Sequence, residues 1–546
     1  IVKKKSLLAL LLALVMVIAM FAGCSKTTDT PAETPTTQEP ATDTPAEDNN
    51  VAADEAPAAA SDVTWDTSKN DEIIVTVING YYTAGEKKLA EEYMKLHPET
   101  KVTIDVIADN DSYRTKMQTI LTSEDSSNTP DIVHSNFFGD VVGGAAAALS
   151  QGYLMDMSPV LDMEHPYQDG LVRDMYDDVV LTEAKNNSGG TMMQALPFDK
   201  CGISFFYNKD AFAALGLSTP ETWEDLLDVC AKFEEAGYEN PITVSSEASW
   251  IITSLSDAGF RDHEYDYMVQ PGDALYDEAT MPYNANFQFD ENDLTCDAFV
   301  IMSDERIAQA KLDGSIFSDA SKTTWTEFAK LAKYFPDNYI AGGADTITDF
   351  EMQFSPIMLS GSWNVGLILD DLNQMPADKQ FDWATFNIPG FANAPEGFGS
   401  TMRGLYVLGN VMGIVAKDDA DHEARVLDFY LYWYSQAGAQ LCYEETLSNG
   451  NYVQGPSMIK GVTLSDTLNE KLAGFIVKGP VKQAMSGLVG ISETTEADRP
   501  LHNDLINKFV AGEIDLDTFL NGLFEIQTRF VQSQAENAGW DFDPAT

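Results

Sequence analysis

Positive charge is what this chain has least of: 33 Lys+Arg stand against 86 Asp+Glu in 546 residues, a formal charge of -53. Such an excess repels phosphate backbones and anionic lipid surfaces, which excludes a nucleic-acid partner and a polybasic membrane clamp. Cysteine is also sparse. The five, at 24, 201, 230, 296 and 442, include no CxxC pair and outline neither a disulfide framework nor a zinc site. Free thiols at Cys201, Cys230, Cys296 and Cys442, or one or two disulfides among them, both remain open. The six histidines form no HExxH, and no GxSxG marks a nucleophile elbow. No GxGxxG follows the first predicted strand and no GxxxxGK[ST] occurs, so the usual nucleotide-phosphate cradles are missing. With 86 acids any two carboxylates can be nominated as a glycosidase pair, so that pattern is empty; neither catalysis nor a cofactor is expected. Apolar residues are not lacking. At 44% hydrophobic and 10% aromatic the chain has the composition of a large globular protein.

The two ends differ in kind. Lys3, Lys4 and Lys5 precede an unbroken apolar run at 7–22, and Phe21-Ala22-Gly23-Cys24 closes it. A run of this length fits either an export signal or a short membrane anchor. Small residues ending on cysteine resemble a bacterial lipoprotein signal, although Phe21 stands where leucine is usual. That resemblance implies a signal at 1–23 and Cys24 as the lipid-bearing mature N-terminus. Losing the three lysines takes the formal charge from -53 to -56. From 25 to 62 the chain is Thr, Pro, Ala, Glu and Asp with no aromatic residue, a composition that cannot bury enough apolar surface to fold. Residues 24–70 are therefore expected to form a linker beside the membrane.

Beyond it, strand and helix alternate. The run EIIVTVI at 72–78 reads as a strand ended by Asn79-Gly80, 85–96 as a helix closed by His97-Pro98, and 102–106 as a second strand. A helix at 113–121 and a strand opening at Pro130 continue a βαβαβ order, which implies a mostly parallel α/β sheet with ligands beyond the strands' carboxyl ends. The loops 79–83 and 134–138 are thus candidate ligand loops. Thr222 is placed to cap a helix at Trp223. Trp223, Trp325, Trp383 and Trp433 sit in apolar patterns and are expected in the core. The acidic stretch with Asp262, Glu264, Asp266, Asp290, Asp293 and Asp297 lacks EF-hand spacing and reads as a solvated face.

Several segments carry a resemblance: Ile78-Asn79-Gly80, Pro130-Asp131-Ile132-Val133, Ala195-Leu196-Pro197 through Tyr207-Asn208-Lys209-Asp210, Pro220-Glu221-Thr222-Trp223 and Gly361-Ser362-Trp363. In this order over about 71–535 they resemble the extracellular solute-binding proteins of the maltose-binding-protein type. The resemblance implies a two-lobed, type II periplasmic-binding-protein-like clamp with three interlobe crossings, near 199–202, 387–390 and 451–458. Lobe 1 is then 71–200 plus 388–455 and lobe 2 is 201–387 plus 456–540. It further implies a monomeric receptor for a sugar, an oligosaccharide in the first instance, handed to the permease of an ABC importer at the outer face of the cytoplasmic membrane of a Gram-positive bacterium. A surface glycan-binding adhesin and a receptor for a non-sugar solute are the alternatives.

A sugar presents an apolar face and a rim of hydroxyls, so its site needs flat aromatic rings with a few amides and carboxylates. The strand-end loops offer that mixture in Tyr81, Tyr82, Asn136, Phe137, Asp199, Lys200, Glu247, Trp250, Trp363 and Asn364. Tyr81 and Tyr82 are neighbours and point to opposite sides of an extended backbone, so one of the two is expected at the ligand. Asp199 has a second reading as a hinge element. Trp363 is the leading candidate, because the resemblance puts it at the cleft.

Overall fold

A computed structural model describes residues 64–540 and 542, apart from 124–128, 139–140, 187, 189–191, 338, 343–344, 492 and 496. The signal, Cys24 and most of the linker lie outside the described residues, within which no helix is long and apolar enough to cross a membrane. The described chain from residue 64 onward lies in one compact unit.

Two sheets organise it. In the first, β1 (Asp71–Ile78), β2 (Thr100–Ile107), β3 (Ile132–His134) and β9 (Met412–Ile414) lie in the order β2-β1-β3-β9. β1 runs parallel to both β2 and β3, and β9 is antiparallel. The alternation of helix and strand in the sequence dictates the parallel part: the helices Thr83–Leu96 and Asn110–Leu121 are the crossovers. In the second sheet β4 (Lys200–Asn208) is central, flanked by β6 (Ile357–Gly361) on one side and by β8 (Leu405–Leu408) and β7 (Trp383–Phe386) in succession on the other. β5 (Ile242–Thr243) extends it beyond β6.

Each sheet has its own core. Ile73, Val75 and Val77 of β1 pack with Tyr430, Tyr432 and Trp433 of the helix Ala420–Tyr434 in lobe 1. Ile203 and Phe205 of β4 pack with Trp223, Trp325 and Phe519 in lobe 2. The tryptophans expected in the core are there: Trp223, Trp325, Trp383 and Trp433 are all buried. Thr222 caps Trp223–Glu235 through a reciprocal capping box with Asp225.

The chain passes from the first core to the second between Phe198 and Ile203, returns between Leu405 and Leu408, and leaves again between Ile459 and Leu468. The last two positions correct the expected boundaries. Ile388, Phe391, Phe398 and Met402 stay in the second core, and Gly390 accepts a hydrogen bond from Trp223 N (2.7 Å), so the return comes well after 388. Met458 and Ile459, expected in lobe 2, pack in lobe 1. The linker boundary moves too. Trp65 lies against His97 (ring centroids 5.2 Å apart), its indole donates to Glu99 (3.3 Å), and Asp66 N donates to Asp421 (2.6 Å), so residues 64–70 are docked on lobe 1.

The acidic stretch is not uniformly solvated. Asp262, Asp266, Asp290 and Asp293 are exposed, whereas Glu264 and Asp297 are buried beside Arg403, itself buried, with Asp257 alongside. These pairs fasten the segment to lobe 2. Cys201, Cys230, Cys296 and Cys442 are all unpaired.

Candidate functional site

At the carboxyl ends of β1 and β2 the first lobe faces the segment that follows β6 in the second, and a cavity of about 740 Å³ opens between them. Lobe 1 contributes Asn79, Gly80 and Tyr81 after β1, and Asp109, Asn110, Asp111 and Arg114 after β2. Trp363, Asn364 and Leu367 line the opposite wall, and Tyr452 comes from the segment after the helix Gln436–Ser448. The loops belong here for the expected reason: in a parallel sheet the connections at the carboxyl ends are not tied to the ladder and surround a crevice.

Two of the aromatic rings are seated on glycines. A Cβ on Gly361, the last residue of β6, would lie 2.2 Å from the Trp363 indole, and one on Gly366 would lie 2.8 Å from the Tyr452 ring. Both backbones are therefore packed directly beneath a ring. Asn364 is oriented by its amide, which donates to Ser360 Oγ (2.8 Å). Arg114 is held by the bond from its Nε to Phe137 O (3.2 Å). Asp109 accepts from Ser112 N (2.8 Å) and Oγ (2.9 Å), and those bonds hold its carboxyl below the usual range. Burial pushes the hydroxyls of Tyr81 and Tyr452 up, so both stay protonated donors at neutral pH. The wall thus combines three aromatic rings with amides, carboxylates and one guanidinium, and matches the mixture a polyhydroxylated ligand needs.

Of the residues singled out from sequence, Tyr81, Trp363 and Asn364 are brought together in this cavity. Tyr82 and Asp199 are not. Both are buried, and the Tyr82 hydroxyl donates to the Asp199 carboxylate, so their polar atoms are taken up within the join between the lobes. Asn136 donates to Gly409 O (2.6 Å) and meets His134 Nδ1 (3.1 Å), which directs it to the join between the lobes. Phe137 packs against a small lobe 1 cluster beside His134. Lys200 begins β4 with its amine half-buried and its pKa lowered by that burial. Glu247 and Trp250 stand apart, at the start of the helix Ala248–Phe260; Trp250 packs on the lobe 2 core, and Glu247 keeps one buried oxygen with no hydrogen bond among the described residues. Asp109, Asn110, Asp111, Arg114 and Tyr452 were missed. The strand-end rule that picked out 79–83 applies equally to the loop after β2 and would have found the first four.

Solved structures share this architecture. Apo RafE from Streptococcus pneumoniae is 17% identical with a TM-score of 0.53, covering 85% of this chain and 98% of that one. A family 1 extracellular solute-binding protein from Bifidobacterium longum subsp. infantis is 15% identical (TM-score 0.54; 84% and 100% covered). Lmo0181 from Listeria monocytogenes, an ABC substrate-binding protein in complex with cycloalternan, is 13% identical (TM-score 0.52; 87% and 100%). At these identities the likeness is one of fold. No curated protein matches the chain by sequence. The family profile of the bacterial extracellular solute-binding proteins, however, matches residues 79–440, well over half of the chain, and the chain belongs to that family.

Proposed function

We propose that the mature chain is a lipid-anchored receptor that captures an oligosaccharide between its lobes and delivers it to an ABC importer at the outer face of the cytoplasmic membrane. The observation that carries this reading is the cavity itself. Tyr81 from one lobe and Trp363 from the other line the same space, with amides and carboxylates between them. Rings on both walls suit the apolar faces of sugar residues, and the polar groups suit their hydroxyls. Relatives of this fold point the same way: RafE has been solved with raffinose, Lmo0181 with cycloalternan, and another is a chitin oligosaccharide binding protein. The lipid anchor rests on Cys24 and the residues before it. A ligand touching both lobes favours the closed form by the contacts made only there.

A thermal-shift screen with raffinose, malto-, xylo- and chito-oligosaccharides tests the reading, since a ligand that binds only the folded state raises the melting temperature by mass action. At least one series should stabilise the protein. Calorimetry of Trp363→Ala against that sugar should then show affinity weakened by about 2 kcal/mol, the scale of a stacking hot spot. If no oligosaccharide stabilises the chain, or Trp363→Ala binds as well as wild type, the sugar assignment of this cavity is wrong.

A further inference from the structure

Three segments meet where the lobes join: 199–203, 405–411 and 452–458. The main chain already ties them around Asp199: across its bridge to Ser457, Lys200 N donates to Pro456 O (3.1 Å) and Met458 N to Phe198 O (2.9 Å), and the Asp199 carbonyl accepts from Gly409 N (3.1 Å). Its carboxylate does more. One oxygen accepts from Asn410 N (2.6 Å), and the other accepts from the Tyr82 hydroxyl, which in turn accepts from Gln454 N (3.1 Å). Gly409 is a point of close approach, since a Cβ there would lie 2.3 Å from Asp199 Oδ1, 2.6 Å from Cys201 Sγ and 2.7 Å from Gln454 Oε1. The join reaches the cavity through Ser362, the residue before Trp363. Its hydroxyl accepts from Gly202 N (3.0 Å) and donates to Gln454 O (2.5 Å).

A buried carboxylate without a counter-ion is costly, by several kcal/mol unless hydrogen bonds replace its lost water. Asp199 is 0% exposed, and among the described residues hydrogen bonds rather than a cation offset its burial. So expensive a group, bonded to two other segments at once, is not explained by packing.

We infer that Asp199 is the positioning residue of the interlobe joint: with Tyr82 it binds the three connecting segments into one rigid unit, and Ser362 sets Trp363 relative to that unit. Its use in ligand capture rests on the proposed clamp, but the joint exists without ligand and is tested without it.

Hydrogen–deuterium exchange of the ligand-free full chain separates the possibilities. In Asp199→Asn and in Tyr82→Phe, amides of all three segments should exchange at least about tenfold faster together, while the crossover helix Asn110–Leu121 keeps its protection. Burial pushes the Asp199 carboxyl up to about 6, and the titratable groups beside it, Tyr82, Tyr434, Tyr443, Cys201 and Cys442, are pushed up and stay neutral in that range. The closed joint therefore holds a proton that an opened, solvated Asp199 carboxyl releases, so wild-type protection at 199–203 and 452–458 should rise, relative to intrinsic exchange, as pH drops from 7 to 5, and that rise should be absent in Asp199→Asn; segment 405–411 also carries the bond from Tyr406 to Glu183, whose carboxyl burial pushes up to about 7. Tyr82→Phe deletes a single oxygen and carries the test if Asp199→Asn does not fold. Faster exchange confined to one segment, or in none, overturns the inference. Failure of the sugar screen with coupled exchange intact would instead count against the proposed function alone.

Discussion

At the scale of single residues, burial decides which polar groups are free to work. Glu86, in the first turn of the helix Thr83–Leu96, is 2% exposed, and one of its oxygens has no hydrogen-bond partner among the described residues. The helix N-terminus favours the anion by only about 0.3–1 kcal/mol, less than the desolvation that opposes it, and burial holds the carboxyl at about 8. Between the ordinary value of 4.5 and 8 the folded chain keeps a proton that the unfolded chain has released. Stability therefore falls as pH rises through that window, by on the order of 3–5 kcal/mol in all. Glu86→Gln should melt with a distinctly flatter pH dependence than wild type and be the more stable protein at pH 8. Parallel melting curves from pH 5 to 8 would show that Glu86 ionises without cost. The same scale explains what sequence concealed. Tyr82 and Asp199 lie in strand-end loops and look like ligand residues; only their mutual bond shows that their polarity is already satisfied. Glu264 and Asp297 read as surface acids because their partner, Arg403, lies 106 residues from Asp297.

Elements place the aromatic wall. The first βαβαβ run was legible to within about three residues at each end, because β1 is a β-branched run, β2 alternates Val102, Ile104 and Val106, and the helices between them carry clear periodicity and stops. The return pass at 405–408 was not, since 388–404 contains apolar residues suited to either core and only contact with Trp223 and Ala258 shows which one holds them. The seating of Trp363 likewise depends on a feature invisible in composition. Gly361 has extended backbone (φ -91°), so alanine is permitted there by conformation and forbidden only by the indole resting on it. Gly361→Ala should leave the fold intact yet push the ring out of place, lowering affinity for the sugar found in the screen about tenfold and shifting tryptophan emission. Unchanged affinity and emission would mean that the indole is not held by this seat.

For the whole molecule, the lobe cores are separate and the segments joining them are few, which is the construction of a hinge. Small-angle scattering at saturating sugar should therefore give a smaller radius of gyration than the free protein. A radius that does not change on binding would favour a static glycan-holding surface over a closing receptor. The strong negative charge bears on solubility and on what is repelled, and has little to do with the ligand, because the cavity wall is built mainly from rings and amides.

Docking of residues 64–70 gives the molecule an asymmetry. Trp65 sits against His97 and under Arg425, and the Arg425 guanidinium also donates to the carbonyls of Asp66 and Lys69, all within lobe 1. Under the lipid anchor proposed at Cys24, any pull from the membrane side would be delivered to lobe 1 before it reached the joint. On the proposed reading, lobe 1 would be the moored half and lobe 2 the one that swings, so an anchor at Cys24 would restrain the receptor's position without working against its closure.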